Sequence, residues 1–301
     1  MKHTTIHLVT KITETLEAVF HNTAAAEHAA WWLLQKLTEM PYSTVLLTKE
    51  ITLTAEQEKT LDQWLYEMVH DHKPLAYILG TVPFLDLTLV VEPPILIPRP
   101  ETEEWCNTLI KQLQTTRITN ILDLCTGSGC IVLAVAQAFP QAHVTAVDIV
   151  PHALELTQKN AQRNGIANIT YVLSDLYTNV TAQKYDLIVS NPPYITEVEW
   201  NSVELSVKNW EDPGALLAAD DGLALIKRII TQAPPFLNAN GQLWIEIGYQ
   251  QGPAVKELFI THGFSKVTVL KDYNGNDRVV HGIAHEKPFD KLRVSGSSGI
   301  L

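Results

Sequence analysis

Along the first 80 residues apolar side chains recur every three or four positions, the period of helices with one buried stripe. The pattern runs through Ile12–Phe20, Ala24–Met40 (Ala29, Trp32, Leu33, Leu37) and Leu53–Val69 (Leu61, Trp64, Leu65, Met68). It predicts three helices, the third opened by a capping box at Thr54–Gln57, with the tryptophans as core anchors of a small bundle. Between 81 and 100 the period changes. Val82–Val91 alternates like a hairpin or edge strand, and Pro93, Pro94, Pro98 and Pro100 follow. So many prolines make a stiff linker, while Arg99 and Glu101 also suit a clamp beside a site. From 119 onward short apolar runs alternate with helical ones. Strands are predicted at 119–124, 143–148, 169–173, 185–190 and 242–247, and helices at 128–139, 151–164, 222–237 and 252–262. Two last strands, near 264–270 and 278–284, should pair as an antiparallel hairpin.

This alternation predicts an α/β domain with a mostly parallel sheet and helices on both faces. The chain accordingly divides into a helical domain (1–80), a hairpin and Pro-rich linker (81–100), the α/β domain (101–284) and a tail (285–301). Ser-Gly-Ser-Ser-Gly at 295–299 reads as disorder.

Ligands of parallel sheets bind beyond the carboxyl ends of the strands. Cys125–Gly129, Asp148, Asp175 and Asn191 each follow a predicted strand, so all four should converge on that edge. Gly127 and Gly129 let the backbone turn sharply and approach a ligand, and the helix that opens there adds free N–H groups. Asp148 ends the next strand, 21 residues after Gly127, where an acid can bind both hydroxyls of a ribose. A dinucleotide loop wants a third glycine, but position 132 is Val, and Asp123 suits a cationic ligand better than a pyrophosphate. S-adenosylmethionine therefore fits this loop better than a dinucleotide.

Asn191-Pro-Pro-Tyr194 follows the apolar run Tyr185–Ser190. Two prolines hold the backbone extended and remove its donors. Carbonyls and the Asn191 amide then form a rigid set of acceptors, suited to an –NH2 on a planar nitrogen. That combination predicts methylation of such a nitrogen, with Tyr194 packed against the planar group.

Charge narrows the partners. The 301 residues carry a net charge of −11, with six Lys/Arg against ten Asp/Glu in residues 1–80 and no basic stripe elsewhere, which weighs against nucleic acid. No apolar run reaches the length of a membrane span, and the polar start lacks a signal-peptide core. Three cysteines without C-x-x-C spacing read as buried reduced thiols of a cytoplasmic protein, and His70-x-His72 as a solvated helix end rather than a metal site.

Together these motifs resemble the bacterial release-factor glutamine methyltransferases, the HemK/PrmC family. The resemblance is carried by Lys73–Gly80, Leu96–Glu103, Asp123–Gly129, Asn191–Tyr194 and Asp277–Val280 followed by Gly282, and runs through most of 73–284. It implies a Rossmann-like, seven-stranded class I methyltransferase sheet behind an N-terminal helical bundle that docks the protein substrate. It implies a cofactor, S-adenosylmethionine, held by Asp123, Cys125, Thr126, Gly127, Ser128, Gly129, Asp148, Asp175, Leu176 and Asn191, with S-adenosylhomocysteine as product. Asn191, Pro192 and Tyr194 would be catalytic and would bind the substrate together with Pro193. The substrate would be the glutamine of the GGQ motif in peptide chain release factors. Cys125 stands where the family often has glycine, so its backbone must tolerate a Cβ. Trp210-Glu211 resembles the family's aromatic-Glu-Pro segment with the proline one residue late. Asn-Pro-Pro-Tyr alone also resembles DNA adenine and cytosine amino-methyltransferases, against which the acidic charge and missing basic domain weigh. A catalytically silent scaffold would have no use for both motifs intact.

Overall fold

The computed structural model describes residues 2–181 and 183–285; the predicted tail, apart from His285, lies outside them. Two contact units emerge. The first takes the residues up to Pro83, Thr88–Ile97 and Val198–Ala215, and the second takes Phe84–Leu87, Pro98–Glu197 and the chain from Leu216 onward.

The first unit opens with β1 (Lys2–Thr4), then α1 (Thr5–Phe20), α2 (Thr23–Thr38), α3 (Tyr42–Leu47), β2 (Glu50–Thr52), α4 (Ala55–His70) and α5 (Leu75–Leu79). The three predicted helices are α1, α2 and α4, and their stripes meet in a core of Leu8, Ile12, Leu16, Leu33, Leu34, Leu61 and Met68. Fully burying such a side chain contributes about 1.5–3 kcal/mol. The capping box forms: Thr54 Oγ1 accepts the Gln57 amide at 3.1 Å, and the Gln57 side chain accepts that of Thr54 at 3.0 Å. One tryptophan departs from expectation. Trp31 is buried and Trp32 is 47% exposed: neighbours on a helix point about 100° apart, and the buried face, widened beyond Ala29, Leu33 and Leu37 by Ala30 and Leu34, reaches Trp31 and leaves Trp32 outside. The antiparallel pair β1–β2 and the helices α3 and α5 are too short to show a period in the sequence.

The hairpin is β3 (Thr81–Phe84) and β4 (Leu87–Val90). The Pro-rich segment is not wholly a linker. Pro100 opens a helix unforeseen in the sequence, α6 (Pro100–Leu113), where its missing N–H is no loss.

In the second unit the chain continues through β5 (Asn120–Leu124), α7 (Cys130–Ala138), β6 (His143–Asp148), α8 (Pro151–Arg163), β7 (Ile169–Leu173) and β8 (Tyr185–Ser190). It then runs into α9 (Glu197–Trp200) and α10 (Leu205–Trp210). Val198–Ala215 groups with the first unit rather than with the sheet, unlike the contiguous 101–284 expected. Its ties explain this: Trp210 Nε1 donates to the Asp71 carbonyl at 2.8 Å, Lys73 Nζ sits 5.1 Å from the Trp210 ring centre, and the Asp212 amide donates to the Pro94 carbonyl at 2.8 Å.

The sheet resumes with α11 (Ala224–Gln232), β9 (Leu237–Glu246), α12 (Gly252–Thr261), β10 (Phe264–Lys271) and β11 (Asp277–Ala284). Pro234 and Pro235 stop α11 short of the predicted 237, so β9 starts five residues earlier than expected. The strand order is β10-β11-β9-β8-β5-β6-β7. The last two strands form the expected antiparallel hairpin, and β11 inserts between β10 and β9. β9, β8, β5, β6 and β7 are parallel. β5 and β8 lie centrally and are covered on both faces, which is why they read as unbroken apolar runs. Among the described residues no helix is long and apolar enough to cross a membrane.

Candidate active site

Parallel register brings the predicted groups to one edge. Leu124 pairs with Val147 on one side and Ser190 on the other, and Asp148 pairs with Leu173, so β5, β6, β7 and β8 end together. The loop after β5 is tied down there. The Thr126 amide donates to the Val147 carbonyl at 3.0 Å, and the Gly127 amide to Asp148 Oδ2 at 2.9 Å. From α8, Thr157 Oγ1 donates to the Gly127 carbonyl and Asn160 Nδ2 to that of Ser128. Gly127 has φ +55° with open space where a Cβ would stand, which leaves room for a ligand against the backbone. Cys125 adopts φ +62°, so this chain places a side chain in a conformation that favours glycine, at a cost of about 1–2 kcal/mol. Its thiol is half-buried against the sheet core, and burial raises its pKa far above the usual thiol range.

Asp148 accepts the Gly127 amide on one oxygen and the Val150 amide on the other, both at 2.9 Å. Asp123 is fully buried. Oδ2 takes the Thr126 hydroxyl at 2.6 Å, while Oδ1 makes no hydrogen bond of good geometry. Burial pushes its pKa up to about 8; the Asp148 charge adds to this, and the Thr126 hydroxyl and Val132 amide offset part of it. Such a group calls for a cation. Asp175 is paired with Arg228 at 2.8 Å on the surface. Leu176, at φ +48°, sends its side chain into the core, leaving only backbone groups for a ligand.

At the end of β8 the Ser190 hydroxyl donates to the Leu124 carbonyl at 2.8 Å, binding the motif's entry to the neighbouring strand. Pro192 and Pro193 are buried, with Asn191 and Tyr194 partly exposed. Asn191 Nδ2 donates to Thr102 Oγ1 at 3.3 Å, and the Tyr194 hydroxyl to Glu246 Oε1 at 3.3 Å. Gln251 Nε2 donates to the Tyr194 carbonyl at 3.1 Å. Gly222, at φ +77°, passes so close that a Cβ would come within 2.1 Å of that carbonyl oxygen. Burial and the Glu246 charge drive the Tyr194 hydroxyl far above the usual tyrosine range, so the ring stays neutral.

Glu246, Thr102, Trp105, Gln251 and Gly222 were not foreseen in the sequence. A signal existed for two of them. Glu246 is an acid closing an apolar strand, the same sign that marked Asp148, and Thr102 follows a helix-opening proline.

The first unit holds a groove of about 730 Å³ lined by Trp32, Lys36, Met40, Leu75, Val82 and Pro83. None of the predicted catalytic or cofactor-binding residues lines it.

Two family models match the chain. The "Methyltransferase small domain" family matches residues 101–212, and the "PrmC N-terminal domain" family matches residues 7–80. The chain is 38% identical to the release factor glutamine methyltransferase of Streptococcus pneumoniae over 250 residues, spanning 83% of this chain and 88% of that protein. It is 40% identical to the release factor glutamine methyltransferase of Escherichia coli over 250 residues, spanning 83% and 89%. A methyltransferase from Pyrococcus furiosus of known structure shares the fold, with TM-score 0.51 and 16% identity over 77% of this chain and 100% of that one.

The buried Asp123 generates a test without any ligand. Its folded-state pKa is raised, so the native state holds the proton more tightly than the unfolded chain does. Stability from this group is fully present below about pH 4 and is lost as pH climbs toward 8. Thermal unfolding of the free protein should therefore show wild type losing several degrees relative to Asp123→Asn between pH 5 and 8.5. Parallel curves for the two proteins would show that Asp123 is ionised throughout.

Proposed function

The chain belongs to the release factor glutamine methyltransferases, and on that premise we propose its reaction: methyl transfer from S-adenosylmethionine to the side-chain amide nitrogen of the GGQ glutamine in peptide chain release factors. One observation carries the reading. The glycine loop and Asn191–Tyr194 stand at the ends of β5 and β8, strands hydrogen-bonded to each other.

The donor's fit is supported by the orphaned Asp123 Oδ1 and the space beside Gly127. Asp123 with the Cys125–Gly129 loop would hold the cationic amino-acid end, and Asp148 the ribose. Bound there, S-adenosylmethionine supplies an electrophilic methyl group on a sulfonium.

The remaining work belongs to this chain. A carboxamide nitrogen is a poor nucleophile because its lone pair is delocalised into the carbonyl. Asn191 Oδ1 and the Pro192 carbonyl accept its two N–H bonds, fix its orientation and push electron density toward nitrogen. Such positioning can supply several kcal/mol, up to about 7–11 in favourable cases. The same acceptors stabilise the positive charge that develops on nitrogen, and the surplus N–H proton, acidic only once the methyl has arrived, is released afterwards. The neutral ring of Tyr194 packs against the planar amide. A net charge of −11 argues against a DNA base in this pocket. A release factor acts in translation, which puts the reaction in the cytoplasm. The helical unit, with its own core and its apolar groove beside Trp32, docks the intact substrate.

Three measurements test these assignments. Asn191→Ala should bind donor with modest loss and lose most of kcat on a release factor, since one N–H goes unpaired at about 1–3 kcal/mol and the nitrogen is misaligned. Asn191→Asp, which keeps an acceptor, should retain more; two equally dead, donor-bound variants would defeat the acceptor role. Calorimetric titration of Asp148→Ala should show donor affinity down roughly 10- to 150-fold, from the loss of charged hydrogen bonds worth about 1.5–3 kcal/mol. Unchanged affinity would remove Asp148 from the site. Trp32→Asp should raise KM for an intact release factor and leave KM for a short GGQ peptide alone; equal effects on both would rule out docking at the groove.

A further inference from the structure

One buried carboxylate holds both ends of the Asn191–Tyr194 motif. Glu246 is 1% exposed. Its Oε2 accepts the Trp105 indole N–H and the Thr102 hydroxyl, each at 2.7 Å, and its Oε1 accepts the Tyr194 hydroxyl at 3.3 Å. The direction of these bonds follows from chemistry. An indole N–H only donates, so Oε2 must be an acceptor. Thr102 Oγ1 donates its single hydroxyl hydrogen to the same oxygen, which leaves Oγ1 only lone pairs for its other neighbour. That neighbour is Asn191, whose Nδ2 donates to it at 3.3 Å. Among the described residues nothing donates to Asn191 Oδ1.

The two ends of an asparagine amide are nearly equal in size, so hydrogen bonding alone decides which way it faces. We propose that Glu246 and Thr102 are positioning residues that fix the flip of Asn191, turning Nδ2 back onto Thr102 and Oδ1 toward the substrate amide. This rests on the reading of Asn191 as the acceptor for that amide. Flipped, Asn191 would set its own N–H groups against those of the substrate and lose the bond to Thr102 as well. Burial raises the pKa of Glu246, and the bonds from Trp105 and Thr102, with the Arg278 charge and the Tyr194 hydroxyl, offset part of this. Because Tyr194 shares the same carboxylate, Thr102 is the position that isolates the Asn191 branch.

The test uses the full chain, S-adenosylmethionine and an intact release factor. Thr102→Val keeps the shape and deletes the hydroxyl. It should lower kcat roughly 10- to 100-fold, as a misaligned reacting group does, with donor affinity within about twofold of wild type. Thr102→Ser, which restores the hydroxyl, should return kcat to within a few-fold of wild type. The double variant Thr102→Val/Asn191→Ala should be no slower than Asn191→Ala alone, since both remove one interaction. Should the valine variant lack a cooperative thermal transition, Thr102→Ala removes the same hydroxyl without a new methyl and is read by the same criteria. A folded hydroxyl-less variant with kcat within about twofold of wild type overturns the relay, while the role of Asn191, read from Asn191→Ala, stands or falls separately. Multiplying effects in the double variant also overturn it.

Discussion

The lateral register of five parallel strands is the constraint on which the site depends. β7, β6, β5, β8 and β9 finish at one edge because Leu173 pairs with Asp148, Val147 with Leu124, Leu124 with Ser190, and Ser190 with Ile245. A one-residue slip in any pair would turn alternate side chains to the opposite face of the sheet. Asp123 would then leave the interior beneath the glycine loop, or Glu246 would lose Trp105 and Thr102. Burial of the apolar residues on both faces of β5 and β8 is what resists such a slip.

Three carboxylates accumulate along this edge with little exposure: Asp123, Asp148 and Glu246. Burying a carboxylate is costly unless donors surround it. Asp148 has backbone amides, and Glu246 has an indole, a threonine and a tyrosine. Asp123 has one hydroxyl and one oxygen left over. The fold accordingly tolerates one unfavourable buried group beneath the glycine loop.

The backbone is strained at the same edge. Cys125 and Leu176 hold positive φ without being glycine, and both follow a sheet strand, after β5 and β7. Their neighbours hold them there: the Thr126 amide is bonded to Val147, the Ser174 amide to Asp148, and the Leu176 side chain is seated in the core. Strain of about 1–3 kcal/mol per residue persists only where the surroundings over-determine the conformation.

By itself the sequence determined the alternation of strand and helix, the three long helices of the first unit, the glycine loop and its two acids, and Asn191–Tyr194. Each rests on local periodicity or on the fixed chemistry of Gly, Pro and Asn, which hold whatever the rest of the chain does. The convergence of four loops was legible too, since parallel strands share one carboxyl edge. Only tertiary structure decided that Val198–Ala215 groups with the helical unit, through Trp210 and Asp71, residues 139 apart in the chain. The choice of Trp31 over Trp32 for the core turned on a 100° rotation that the apolar pattern of two adjacent tryptophans cannot resolve. Pairing of Glu246 with Thr102 and Trp105, 144 and 141 residues away, was equally out of reach, because a buried acid looks in sequence like any other acid until its donors arrive from another element. Local chemistry selects which groups a site can use. Long-range packing decides which way they face.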